Sequence, residues 1–352
     1  MRILYAALIG LGLGALFITV TGYNAWEAYR TMFVEAAGTP VAWADVLGKA
    51  TPLVLLGLGV TIAFRAGLFN IGGEGQFTVG ALAASALGHA LSGWPAFLLI
   101  PALFISGALA GGLWAGLAGW MKAKRNVHEV VSTIMLNYIA LGLGTYLINI
   151  RYGPLHDSSA MNPQSLPIGS GGILPTLVSR TDLHAGVFLA MLFVPVAAWI
   201  LRKSVFGYEI RLVGLNPIAA KTYGINEGSV IWRTMAFSGA LAGLAGAMEL
   251  MGIYPYLFKN GFSAGRGFDA ITIALMGGGS PLGTLFAALF LGALRLGSSG
   301  METITGVPNE LSLVLQGILI IAVTAPALAN LKLFRRRAPE QNPNAIEAGG
   351  AS

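Results

Sequence analysis

The chain has 352 residues, 55% hydrophobic and only 10% charged. Soluble proteins carry about 25% charged residues, so this chain cannot cover a globular surface with polar groups and must turn most of its surface to lipid. The lack of cysteine excludes disulfides and thiolate metal sites, and the net charge of +6 is scattered over loops, which marks topology rather than a nucleic-acid partner.

A bilayer span needs roughly 20 apolar residues. Met1-Arg2 precedes an apolar run at 3–20 that is too long for a signal-peptide core and has no cleavage site close behind it. It reads as an uncleaved first span, 3–22. Residues 23–45 read as an external segment whose Trp26, Tyr29, Phe33 and Trp43 suit the membrane interface. Further spans follow at 46–64, 77–92, 95–121 and 129–149. Between the first two of these lies the glycine-rich patch RAGLFNIGGEGQ, and before the last comes a basic loop with Lys122, Lys124 and Arg125. The stretch 151–183 is rich in Gly, Pro and Ser and reads as an external loop. Spans at 184–201 and 229–251 flank a polar loop at 202–228, and 252–267 is external.

Gly277-Gly278-Gly279-Ser280-Pro281 interrupts any helix across 268–297. Two half-helices, 268–276 and 282–297, are predicted to form a re-entrant hairpin, which requires cover from protein or a water-filled cavity. A last span at 310–331 precedes Lys332, Arg335, Arg336 and Arg337, and the tail 332–352 reads as disordered. The predicted fold is all-α: a polytopic membrane protein of about nine to ten spans with broken or re-entrant helices, one membrane domain at 1–331 and a cytoplasmic tail. With both termini in the cytoplasm, 14 of the 21 Lys and Arg residues lie inside and 6 outside, with Arg295 near the membrane. That excess favours this orientation.

The segment VFGYEIRLVGLNPIAAKTYGINE, 205–227, is the polar interruption with the clearest local code. Asn216 is placed as an N-cap, Pro217 in the first helical turn and Gly224 at the stop, with Ala219 and Ala220 between. Read from these residues alone, the short helix is either part of an ordinary loop or a docking element. Gly207 and Gly214 read as turn residues or flexible points.

No GxxxxGK[ST] phosphate loop is present, and His89, His128, His156 and His184 are too dispersed for an HExxH zinc site. No catalytic residue, metal or cofactor is expected. Glu74 lies in the break between two spans and stands either at the translocation path or as a cap on the following helix. Asn70 and Gln76 either offer hydrogen bonds to a solute or tie down the broken backbone. Glu129, Ser132, Thr133, Asn137 and Tyr138 form a polar stripe that faces another helix or an aqueous path. Asp269 reads as a first-turn carboxylate of the broken helix, and Glu249 as a residue near an outer span end. Gly107-x-x-x-Gly111, Gly112-x-x-x-Gly116 and Gly239-x-x-x-Gly243 permit close helix crossings, within this chain or with another.

Four stretches together resemble one family. Gly214-Leu-Asn216-Pro217-x-Ala219-Ala220-x-x-x-Gly224-Ile225 resembles the coupling-helix loop of permeases in bacterial ATP-binding-cassette importers of the branched-chain amino-acid, ribose and nucleoside type. Phe69-Asn70-Ile71-Gly72-Gly73-Glu74-Gly75-Gln76 resembles the NIGxEGQ signature of the nucleoside-type permeases, and 127–139, VHEVVSTIMLNYI, their EVxSTIMLNYI stretch. Gly267-Phe268-Asp269-Ala270-Ile271 through Pro281-Leu282-Gly283 also matches. Gly73 fills the signature's variable position, and His128 stands where Asn is common. The resemblance covers about 46–330. It implies a multi-pass permease of the bacterial cytoplasmic membrane that docks separate ATPase subunits on the 216–224 helix. It further implies a second, non-identical permease subunit, of which this chain resembles the longer member, and an extracytoplasmic solute-binding protein. The solute implied is a nucleoside; a simple sugar is the alternative, and an ion-coupled secondary transporter is the reading outside the family.

Overall fold

A computed structural model describes residues 2–308 and, beyond them, 311, 313–315, 317, 318 and 321. Most of the expected span at 310–331 and all of the tail 332–352 lie outside the described residues. Among the described residues the regular structure is helical, with only isolated bridges besides. The helices are α1 (Arg2–Val20), α2 (Ala25–Ala37), α3 (Pro40–Arg65), α4 (Gly73–Ala90), α5 (Ala96–Arg125), α6 (Glu129–Leu147), α7 (Gly186–Lys203), α8 (Val205–Leu215), α9 (Pro217–Thr222), α10 (Glu227–Gly252), α11 (Arg266–Met276) and α12 (Pro281–Thr305).

Six of these, α3, α5, α6, α7, α10 and α12, are long and apolar enough to cross a membrane. α3 and α10 are the central pair, with 89% and 83% of their membrane windows buried against 28% for α5. Their ends follow local rules. Thr39 Oγ1 accepts from the Ala42 N–H at the start of α3, with Pro40 at its first turn. Asn226 caps α10 through Ser229 N–H, and Ser280 caps α12 through Gly283 N–H. α5 stops at Asn126 in the left-handed region (φ 53°), and α12 at Gly306 (φ 68°).

Lipid removes most of the hydrophobic drive between helices, so close backbone approach supplies the packing. The small-residue stripes pair within this chain: Gly107 and Gly111 of α5 face Gly239 and Gly243 of α10. A Cβ on Gly243 would strike the Gly107 carbonyl oxygen and come within 2.9 Å of the Gly111 Cα. Gly80 of α4 reaches the same Gly243 backbone, so three helices meet at one residue without a side chain.

Several expectations are corrected. The segment 23–45 is largely helical: Asn24 caps α2, whose buried Ala28, Met32 and Ala36 pack in a satellite core with Leu294 and Met301 of α12. α3 begins at Pro40 rather than 46, because Thr39 supplies the cap. α11 is a half-helix as expected, but α12 runs its full 25 residues instead of ending near 297. Its Gly292 and Gly297 do not break it; they admit the Val46 carbonyl and Met32 backbone of neighbouring helices. Residues 205–215, read as loop, form α8. Gly207 and Gly214 are neither turns nor hinges, since each lies within α8 where a Cβ would strike a carbonyl, of Ile200 and Arg65 respectively.

The long segment between α6 and α7 is irregular, with one 3-10 turn at Ser170–Gly172. It is held by backbone bonds from Ser165 to Phe258, Ile168 to Tyr256 and Leu174 to Met251. Buried His184 accepts from the Gly186 N–H, and burial lowers its pKa to about 4, so the ring is neutral there. Replacing Gly243 with Leu is predicted to cost at least about 1–3 kcal/mol by overpacking. Thermal unfolding of the purified protein should show a lower midpoint, and an unchanged midpoint would contradict the three-helix contact.

Candidate functional site

Two interruptions of the helical framework meet inside the protein. After α3 the chain turns at Gly67 (φ 72°) and runs irregularly to Gly72 before α4 begins. After α10 it runs irregularly through 253–265 before α11 begins. α11 has 11 residues and therefore spans about 16 Å at ~1.5 Å per residue. Its far end lies beside Arg65, whose Nε donates to the Gly279 carbonyl at 2.6 Å. Its near end thus lies a helix length deeper in the framework than Arg65.

At that depth Glu74, in the first turn of α4, bridges the two interruptions. Its Oε1 accepts from Ser263 Oγ at 2.5 Å and Gly265 N–H at 3.1 Å, and its Oε2 accepts from Gly267 N–H at 2.8 Å. Glu74 is buried, and among the described residues it has no ion-pair partner. Its charge is met by the N-terminal N–H groups and dipole of α11. The glycine at 267 is required by this approach, because a Cβ there would strike the Glu74 backbone.

The neighbouring amides complete the clasp. Asn70 and Gln76 exchange two bonds, Nδ2 to Oε1 at 3.0 Å and Nε2 to Oδ1 at 2.8 Å. Asn70 also donates to Ser238 of α10 at 2.9 Å and accepts from Gly72 N–H at 3.0 Å. Asn137 of α6 accepts from Gly75 N–H at 2.8 Å and donates to the Ile71 carbonyl at 2.9 Å. The backbone groups of Ile71, Gly72 and Gly75 are thereby satisfied by the side chains of Asn70 and Asn137.

The structure brings Asn70, Glu74, Gln76, Thr133 and Asn137 together around 71–75, all of them buried, and Ser132 is buried on α6. Ser132 and Thr133 bond back to the Glu129 carbonyl at 3.1 and 2.7 Å. Tyr138 leaves the stripe and is 70% exposed. Glu129 pairs with Lys122 at 2.6 Å and accepts from Phe69 N–H at 3.4 Å. Asp269 sits in the first turn of α11 and pairs with Arg295 of α12 at 2.6 Å. Glu249 pairs with Arg266, also at 2.6 Å. Ser238, Ser263, Arg266 and Arg295 were not singled out from the sequence as members of this site. Arg295 carried one usable signal: a cation near the membrane requires a carboxylate close by.

The second constellation lies at the opposite end of α11, on the face that carries α8 and α9. Asn216 Oδ1 accepts from Ala219 N–H at 3.1 Å, and Pro217 occupies the first turn. Gly224 takes the left-handed conformation (φ 75°), and Ile225 N–H returns to the Ala220 carbonyl. Ala220 has no exposed surface, whereas Leu215 and Ile218 are each 80% exposed and Tyr223 74%. α9 therefore presents an apolar outer face over an anchored inner one. α8 is fixed to α10 by the Glu209–Arg233 pair at 2.8 Å and by Phe206 against Phe237. Gly214 packs on the backbone of Arg65 and Ala66, where the first interruption starts. Among the described residues no group of three His, Asp or Glu is placed to hold a metal.

Comparison with known proteins adds the following. The model of the family "Branched-chain amino acid transport system / permease component" matches residues 42–324. A guanosine ABC transporter permease of Bacillus subtilis is 38% identical over 92% of this chain and 92% of its own length. A glucose ABC transporter permease of Haloferax volcanii is 34% identical, over 89% and 84%. A nucleoside ABC transporter permease of Lactococcus lactis is 31% identical, over 95% and 93%. No solved structure matches.

Replacing Glu74 with Gln keeps the side-chain size but removes the charge and one acceptor oxygen. The loss is predicted to cost about 2 kcal/mol, the scale of a charge-assisted bond. Thermal unfolding of the purified protein should register it, and wild-type stability would show that Glu74 does not hold the clasp.

Proposed function

The chain belongs to the family of permease components of branched-chain amino acid transport systems, and on that premise we propose how it carries and couples its solute. It is the multi-pass permease subunit of an ATP-binding-cassette importer, a transport component rather than an enzyme, whose family works with ATPase and solute-binding-protein partners. The solute we assign is a nucleoside. The observation that carries this is 38% identity to a guanosine permease over 92% of the chain, joined to the internally bonded signature at Asn70, Glu74 and Gln76.

In this reading both termini are cytoplasmic and the membrane domain runs through 331. The six long helices cross the membrane together with α1 and α4, and α11 is the re-entrant half. Each importer pairs this chain with a second, non-identical permease, because its length fits the longer member of such pairs. Gly214, Asn216, Pro217, Ala219, Ala220 and Gly224 form the ATPase-coupling element. Closure of the ATPase dimer presses on the apolar outer face of α9. The rigid, capped helix passes the displacement through α8 to the α3 terminus at Arg65. Asn70, Glu74, Gln76, Ser132, Thr133, Asn137 and Asp269 form the gate wall, where the two interruptions shift against each other as access alternates. Apart from Glu74, whose carboxylate is held by Ser263 and the Gly265 and Gly267 N–H groups, their polar groups are neutral or paired, which suits an uncharged solute.

A second reading, a simple sugar as solute, rests on the 34% identity to the glucose permease. Proteoliposomes holding the complete importer, with binding protein outside and ATP inside, separate the two. Labelled guanosine is expected to accumulate only with ATP; accumulation of glucose alone would transfer the assignment to the sugar. Replacing Ala220 with Arg forces charge and volume into a buried site and is predicted to lower uptake by about tenfold or more, equivalent to at least ~1.4 kcal/mol. Its level in the membrane should be unchanged. Full uptake by that variant would remove α9 from the coupling path.

A further inference from the structure

Three arginines converge where α3, α7, α8 and α12 meet on the face that carries α9. Arg65 ends α3, Arg202 lies in the last turn of α7, and Arg211 lies on α8. Together with Ser280 and Pro281 at the start of α12 they line a cleft of about 270 Å³, several times the ~30 Å³ that one water occupies in the liquid. No carboxylate lines it. None of the three arginines belongs to an ion pair among the described residues. Arg65 spends one donor on the Gly279 carbonyl. Arg211 Nη1 is buried and has no hydrogen-bond partner.

Buried polar groups are costly without partners, and a buried cation especially so. Three like charges around one cleft also repel one another until an anion enters. The N-terminus of α12, a helix of 25 residues, adds its positive end on the same side. Guanidinium forks match the oxygens of a phosphoryl group in geometry and charge. We propose that this cleft binds a phosphoryl group, supplied by an anionic phospholipid headgroup or by a soluble phosphate. Its place also gives it a consequence. The bound anion would tie α8 to the ends of α3, α7 and α12, beside the contact of Gly214 with Arg65, and so stiffen the coupling segment.

The test uses the purified importer complex in an uncharged detergent. Its thermal unfolding is followed while dioctanoyl phosphatidylglycerol, inorganic phosphate or dioctanoylglycerol is added, for wild type, Arg211→Gln and Arg202→Gln. The exposed Arg202 provides a variant that does not disturb the core. A saturable rise in midpoint is expected with phosphatidylglycerol or phosphate and not with dioctanoylglycerol. The apparent affinity should fall about tenfold in each variant, as loss of a charge-assisted bond implies. A response to the lipid identifies a headgroup site, and a response to phosphate a soluble ligand. No response, or equal responses in all three proteins, overturns the proposal. Release of the ATPase subunits by the variants without any phosphate response also overturns it, because the cleft would then receive a carboxylate of the ATPase.

Discussion

Backbone N–H groups at membrane depth must find partners within the protein, and that constraint shapes the centre of this molecule. Two chain interruptions meet inside the helical framework, and each leaves amides without helical partners. Glu74 answers one set with the carboxylate of the other, taking Gly265 and Gly267 N–H together with Ser263. Asn137 and Asn70 do the same for Gly75 and Gly72. Lipid could not supply these bonds, so each interruption persists only where protein side chains meet its amides. A continuous helix would be locally cheaper, which suggests why glycine and amide residues are concentrated at these positions rather than spread through the spans.

The same arrangement accounts for how a push from outside the membrane could reach its interior. α9 is short and capped at both ends, by Asn216 and by the Ile225 N–H on the Ala220 carbonyl. α8 is fastened to α10 by an ion pair and an aromatic contact, and it meets the α3 terminus through Gly214 without an intervening side chain. From Arg65 the chain leads within a few residues to Asn70 and Glu74. Arg65 also holds Gly279, at the far end of α11. The face that carries α9 and the Glu74 clasp are therefore joined by two routes, one through the first interruption and one along α11.

What the sequence made legible was local. The Asn216–Pro217 start and Gly224 stop follow from capping chemistry and appear as expected. The glycine-rich breaks at 65–76 and 277–281 were also visible, because glycine and proline clusters break helices wherever they occur, but the interruption at 253–265 reads from the sequence as an external segment. Which interruption meets which was not legible: Glu74 and Gly267 lie 193 residues apart, and neither spacing nor composition links them. Glu74 thus read as a path residue or as a cap for its own helix, and of these the cap gives way, since the carboxylate serves the start of α11. Gly207 and Gly214 misled for a related reason. A lone glycine in a polar stretch looks the same whether it bends the chain or admits a neighbour, and only the packed carbonyls decide. α2 was hidden by its aromatic residues, which suit an interface as well as a short packed helix.

In the proposed coupling role, force passes from α8 into the α3 terminus through the bare backbone at Gly214, which packs on Arg65. The most direct measurement is the number of solute molecules imported per ATP hydrolysed by a Gly214→Ala complex in proteoliposomes. A Cβ there meets the Arg65 carbonyl, so the contact must open. The account predicts that the complex assembles and hydrolyses ATP while this ratio falls severalfold, about 1 kcal/mol or more in coupling. A wild-type ratio in the assembled complex would contradict it and place the coupling route elsewhere.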